Sequence, residues 1–276
     1  MEKDIKGILK SHNFSFKKCF GQNFLTDKEL LFNIVKKAGV NASVNVLEIG
    51  TGAGTLTSFL CENAKFVLGY EVDQTLKPIL NETLSSYNNY EIVFKDIMKE
   101  DLHVLEKKLG NNYIMVANLP YYITTPIVLR FLEEAKSITS LVVMVQKEVA
   151  ERFCAKEGTA DYGAITIAIN LRGSARIIEY VGREKFSPPP NVDSAVVKID
   201  IDKEKNKDVD LSAVREVVRV AFSSRRKMLV NNLMNGYKMT RLEAEEILIK
   251  SNIQLSARGE VLSAEDFINL SKNIKG

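Results

Sequence analysis

Apolar positions along this chain fall into two rhythms up to about residue 201 and into one rhythm after it. Near-continuous apolar runs, the mark of strands buried on both faces, lie at 44–49, 65–72, 90–95, 113–117, 141–146 and 164–171, and 194–201 alternates until charges begin. Between them come segments spaced three and four apart. The first, with Leu30, Leu31, Ile34, Val35 and Ala38 on one face, is opened by the capping box Thr26-Asp27-Lys28-Glu29 and closed by Gly39. Others follow at 55–60, at 74–84 with Pro78 tolerable only in a first turn, at 127–135 behind Thr125-Pro126, and in the charged stretch 147–153. Strands alternating with helices predict an α/β chain with helices on both faces of a parallel sheet. Residues 199–210, rich in Asp, Lys and Glu, carry no core pattern and mark a boundary. Beyond it the rhythm is helical throughout. One helix is expected over 212–234, with Val214, Val217, Val218, Ala221 and Phe222, then Arg225-Arg226-Lys227, then Met228, Leu229 and Leu233. Two more open at Thr240-Arg241-Leu242-Glu243 and Ser263-Ala264-Glu265-Asp266. The predicted domains are 1–202, with an arm over 1–22, and a small all-α domain over 203–276.

The first apolar run passes directly into Gly50-Thr51-Gly52-Ala53-Gly54. Glycines here permit a tight turn and let a ligand touch bare backbone. The dinucleotide spacing G-x-G-x-x-G fails, because Thr55 holds its third glycine position, and no phosphate-cradling G-x-x-x-x-G-K-[ST] occurs. G-x-G-x-G is the spacing of S-adenosylmethionine (SAM) methyltransferases; a tight strand–helix turn without a ligand would use the same glycines. Glu71 ends the next strand and can accept both hydroxyls of a ribose; Asp96 ends the one after and can accept an adenine amine. Either alone could be a solvated strand end, but their repetition along one sheet edge points to a ligand.

The fourth strand delivers Asn118-Leu119-Pro120-Tyr121. An amide followed by Pro-aromatic suits methylation of an exocyclic adenine nitrogen, whose lone pair is delocalised into the ring. The Asn118 oxygen and the Leu119 carbonyl could each accept one N–H and aim that lone pair. Pro120 fixes the backbone and Tyr121 offers a π-face. The base must leave its stack to enter. Phe186, on the stiff loop Ser187-Pro188-Pro189-Pro190, could hold it from the other side, or could be an ordinary core aromatic.

Composition narrows the rest. At 276 residues and 45% hydrophobic the chain can bury a sizeable core, and 38 Lys+Arg against 35 Asp+Glu give only +3. Cys19, Cys61 and Cys154 are few and far apart, as in a reduced cytoplasmic protein. His12 and His103 are the only histidines, so a His-rich metal site is excluded. No apolar run approaches membrane-spanning length. Lys17-Lys18 among Phe14, Phe16 and Phe20 suits a nucleic-acid strand, or an arm packing its rings on the domain. Arg225-Arg226-Lys227 could meet RNA phosphates or form a solvated helix face.

Taken in order, Phe20-Gly21-Gln22-Asn23-Phe24-Leu25, the run from Glu48 to Gly54, Asn118 to Tyr121, Gln146-Lys147-Glu148-Val149, Phe186 to Ser194, and Phe222 to Leu233 resemble the ribosomal RNA adenine N6,N6-dimethyltransferases, the KsgA family, over nearly the whole length. The resemblance implies a Rossmann-like SAM-dependent methyltransferase sheet and SAM contacts at Asn23, Leu25, Gly50, Glu71, Asp96 and Asn118, beside the glycines Gly52 and Gly54. It implies dimethylation of two adjacent adenosines near the 3′ end of small-subunit rRNA, within an immature 30S particle, by a cytoplasmic protein expected to be a monomer. Two positions depart from the family. Thr51 stands where Pro is common, as it does in related large-subunit resistance methyltransferases, and Tyr122 replaces an Asn. The alternatives are such a 23S rRNA enzyme and a non-catalytic ribosome-assembly factor.

Overall fold

The computed structural model describes residues 5–12, 14, 24, 25 and 27–275. The chain forms two compact units: one runs to Ala150 and resumes over Arg176–Ile201, and the other takes Glu151–Ala175 and everything from Asp202. Residues 151–175, expected in the first domain, group with the tail.

In the first unit, α1 (Ile5–Ser11) and the two-residue strand β1 (Phe24–Leu25) precede α2 (Lys28–Ala38), β2 (Asn45–Ile49), α3 (Thr55–Asn63), β3 (Phe66–Glu71), α4 (Lys77–Thr83), β4 (Tyr90–Phe94), α5 (Leu102–Leu109), β5 (Tyr113–Asn118), α6 (Tyr121–Glu134) and β6 (Ile138–Gln146). The chain then runs through α7 (Lys147–Phe153), α8 (Ala164–Arg172), β7 (Gly173–Val181), β8 (Phe186–Ser187) and β9 (Ser194–Ile201). The large sheet has the order β4-β3-β2-β5-β6-β9-β7. Its pairs from β4 to β6 are parallel, and β9 runs antiparallel to β6. Val46, Val67, Ile114, Val116, Val142 and Met144 bury one face against Leu31, Ile34, Val35 and Leu60. The alternate positions Leu47, Leu68, Met115, Leu141 and Val143 point the other way and are just as buried, so both faces are covered. Strand order reverses at β2, which lies between β3 and β5. Open α/β sheets leave a crevice at the carboxyl ends there.

Several local expectations change. The α2 cap is the Asp27 carboxylate, which accepts the Leu30 N–H at 3.0 Å; Thr26 lies outside the described residues. Helix α6 starts at Tyr121, so Pro126 sits inside it and supplies no N–H to the Tyr122 carbonyl. Residues 164–171, expected as a strand, are α8. Ile165, Thr166, Ile167, Ile169 and Leu171 are all buried. An apolar run buried on nearly every side has no period that separates helix from strand.

The second unit is helical: besides α8 it holds α9 (Leu211–Ala221), α10 (Leu229–Tyr237), α11 (Arg241–Lys250) and α12 (Ala264–Lys275). Val214, Val217, Leu233, Leu248 and Phe267 meet in its core. The expected single helix over 212–234 is two, with the basic triplet in the turn between them. That turn is pinned from within, because the buried Asn232 amide donates to the carbonyls of Ala221 at 2.7 Å and Ser224 at 3.1 Å. Asn232→Ala would strand both carbonyls, and we expect it to cost roughly 2 kcal/mol in urea unfolding; a loss under about 0.5 kcal/mol would show the turn held by other contacts.

Candidate active site

A cavity of about 620 Å³ opens at the carboxyl ends of β2, β3 and β5, a size suited to a small-molecule cofactor. Register explains why. Ile49 pairs with Tyr70 on one side and Ala117 on the other, so Gly50, Glu71 and Asn118 leave the sheet side by side. Gly50 and Gly52 turn the chain at φ 78 and 56. A Cβ at Gly50 would lie 2.9 Å from Leu119 Cδ2, and one at Gly52 would lie 2.9 Å from the Phe24 ring. Both are therefore required twice over, for the turn and for the close approach.

Leu25, Gly50, Gly52, Glu71, Asp96, Asn118, Leu119, Pro120, Tyr121 and Phe186 all line this cavity. Strands β1 and β8 bring Leu25 and Phe186 opposite each other in an antiparallel ladder. Gly54 does not belong to the lining. It sits at φ 85 as the N-cap of α3, with the Leu80 and Thr83 side chains against its Cα, and its glycine answers packing. Asn23, Lys17 and Lys18 lie outside the described residues. In the second unit, Arg225 Nη2 donates to the carbonyls of Ala160 at 2.6 Å and Tyr162 at 2.9 Å, and Arg225, Arg226 and Lys227 are all exposed.

The Glu71 carboxylate is buried and oriented by backbone. Oε2 accepts the Gly52 N–H at 2.8 Å, and Oε1 accepts those of Val72 and Asp73 at 2.8 and 2.9 Å. Burial raises its pKa and these three bonds pull it back. Asp96 caps the short turn that follows β4, with Oδ1 accepting the Met98 N–H at 3.0 Å. Tyr121 is half-buried, which raises its phenol pKa, and Tyr122 stands at the cavity with 69% of its surface exposed.

Phe24, Thr51 and Glu48 are among the lining residues that were not expected at the site. Glu48 is 1% exposed, and a charge inside an apolar strand was its only sequence signal. Among the described residues, Glu48 Oε2 and Thr51 Oγ1 are buried without a hydrogen-bond partner. Orphaned buried oxygens are costly unless a ligand or water completes them. Together with the bare glycine walls they fit a polar, cationic cofactor such as SAM. Among the described residues no group of His, Cys, Asp and Glu could hold a metal ion. Burial pushes the Cys61 thiol up to about 12.

Burial also pushes the Glu48 carboxyl up to about 8, with the nearby Thr57 hydroxyl offsetting part and the Glu71 charge adding to it. An unfolded glutamate ionises near 4.5. Between these values the folded chain holds a proton that the unfolded chain releases, so stability falls as pH rises through the window. Glu48→Gln cannot ionise. Melting curves of the ligand-free variant should gain most over the native protein near pH 8.5 and least near pH 4.5; a gain independent of pH would refute the burial argument.

The comparisons with known proteins agree with this geometry. Residues 13–271 match the family described as ribosomal RNA adenine dimethylase. The chain is 43% identical to ribosomal RNA small subunit methyltransferase A of Alkaliphilus oremlandii (strain OhILAs), over 99% of this chain and 96% of that one. It is 43% identical to the protein of the same name in Geobacillus thermodenitrificans (strain NG80-2), covering 98% and 97%. Its structure is similar to a dimethyladenosine transferase from Plasmodium falciparum, with TM-score 0.76, 25% identity and 90% and 95% coverage. It is also similar to the 23S rRNA methyltransferase ErmE, with TM-score 0.68, 26% identity and 92% and 100% coverage. The chain belongs to the ribosomal RNA adenine dimethylase family, whose members are SAM-dependent methyltransferase enzymes.

Proposed function

We propose that this enzyme dimethylates N6 of two adjacent adenosines near the 3′ end of small-subunit rRNA, acting as a cytoplasmic monomer on an immature 30S particle. The observation that carries the reading is one cavity lined both by the glycine bend and by Asn118-Leu119-Pro120-Tyr121. The 43% relatives named for the small subunit span nearly the whole chain, and they favour that subunit over the 23S target named for ErmE at 26%. The complete set of strand-end groups argues against a non-catalytic assembly factor. No helix among the described residues is long and apolar enough to cross a membrane.

In this reading Glu71 holds the ribose hydroxyls and Asp96 the adenine amine. Leu25, Gly50 and Gly52 supply close walls, Glu48 and Thr51 meet the cofactor's polar end, and Asn23 adds a contact. The cofactor, when bound, supplies an electrophilic methyl group on a sulfonium. The chain's own contribution is placement. Asn118 and the Leu119 carbonyl accept the two N–H groups of the target amine and aim its lone pair, while Tyr121 and Phe186 grip the extruded ring. The methylated nitrogen is acidic enough to lose its proton afterwards, so no strong base is needed at the site. Positioning and preorganised acceptors supply the rate.

Labelled SAM with small-subunit particles, followed by primer extension, should mark adjacent adenosines; label confined to large-subunit rRNA would reject the proposal. Asn118→Ala should retain cofactor binding by calorimetry and lose roughly 100-fold in kcat; unaltered turnover would overturn the amide's role. For RNA contact the candidates are the exposed Arg226 and Lys227, with Lys17 and Lys18 outside the described residues. Neutralising Arg226 and Lys227 should reduce the salt slope of particle binding by about one to two, and an unchanged slope would leave them a solvated turn.

A further inference from the structure

Tyr121 is held at its far edge. Its phenol oxygen lies 2.7 Å from the Ser194 hydroxyl, and either group can donate. Ser194 is fully buried and is not part of the cavity lining. It opens β9, where it pairs with Gln146 of β6. One residue earlier, the Asp193 carbonyl accepts the Lys147 N–H at 3.0 Å, and the Asp193 carboxylate accepts the Arg183 N–H at 3.1 Å. At its other end the same loop is laddered to β1 through Phe186. Three segments remote in sequence, the Asn118–Tyr121 turn, the β6–α7 junction and the proline loop, thus meet around one side-chain hydrogen bond.

A phenylalanine at 121 would present the same π-face to a base. The hydroxyl adds no stacking surface; what it adds is a fixed para position, which removes the ring's freedom to tilt. Because Ser194 ends the segment that begins at Phe186, the bond also ties one aromatic of the cavity to the piece of chain that carries the other. Resting on the adenosine-methylating reading above, we propose that Ser194 is a positioning residue. It locks the Tyr121 ring and thereby sets the slot that receives the target purine, touching neither base nor cofactor itself.

The test is a double-mutant cycle on the full chain: native, Ser194→Ala, Tyr121→Phe and the pair together. Turnover is read on small-subunit particles, SAM affinity by calorimetry, folding by thermal melts, and slot geometry by fluorescence quenching of 2-aminopurine riboside with SAM bound. Each single variant should lose about five-fold in kcat, as one hydrogen bond is worth. The pair should lose no more than either alone, because both remove the same bond. SAM affinity should hold within about two-fold, and quenching should fall alongside kcat. Ser194→Ala turning over like the native protein would overturn the proposal, as would losses that multiply in the pair, or a lowered melting temperature with kcat intact. Should Ser194→Ala fold poorly, Tyr121→Phe keeps Ser194 and carries the same expectation. A native protein that neither transfers methyl nor quenches would remove the methyltransfer reading and this role together; a native protein active in both, beside an unimpaired Ser194→Ala, would remove this role alone.

Discussion

The site exists because two turns leave neighbouring parallel strands with almost no room between them. Strands in a sheet lie about 4.8 Å apart, and the turns after β2 and β5 pass so closely that position 50 has no room for a side chain. Gly50 stands there: a Cβ would meet the Leu119 side chain at 2.9 Å and the Asn118 carbonyl at 3.5 Å. The same closeness brings the Asn118 backbone carbonyl to the glycine bend. Packing and backbone conformation are one constraint at this position.

Much of this could be read from the residues, for a reason rooted in topology. In parallel βα units every strand delivers its carboxyl end to one edge, so polar groups after apolar runs converge there. Glu71, Asp96 and Asn118 were legible in that way. Other features lacked a local signature. Strand β7, half-exposed and mixed in character, shows no alternation that separates it from loop, and α8 is buried too completely to show a helical face. Arg225 looked like its two basic neighbours because its acceptors, the carbonyls of Ala160 and Tyr162, are backbone atoms that no side-chain pattern reveals. Gly54 looked like Gly50 and Gly52 because spacing does not say which way a Cα faces.

Two buried carboxylates of the first unit, Glu106 and Glu48, differ in kind. Glu106 accepts the N–H groups of Lys136 and Ser137 at 2.9 and 2.8 Å and the Tyr113 phenol at 3.2 Å. It is completed by the protein and staples α5 to the start of β6. Glu48 sits at the cavity with Oε2 lacking a partner among the described residues. A satisfied acid holds a fold together, whereas an unsatisfied one at a cavity weakens the empty protein in exchange for a ligand's interaction. The distinction rests on hydrogen-bond completion rather than burial, since both are under a tenth exposed.

The β1–β8 ladder joins Leu25, near the start of the chain, to Phe186, near the end of the first unit. A ribosome making this protein therefore releases the glycine bend, Glu71 and Asn118 well before the strand that closes the pocket's aromatic side. A nascent chain paused anywhere short of β9 owns the parts of a cofactor cradle but no finished slot for a nucleobase. Closure of the pocket is thus a late event along the chain, set by how far apart in sequence the two partners of one short ladder lie.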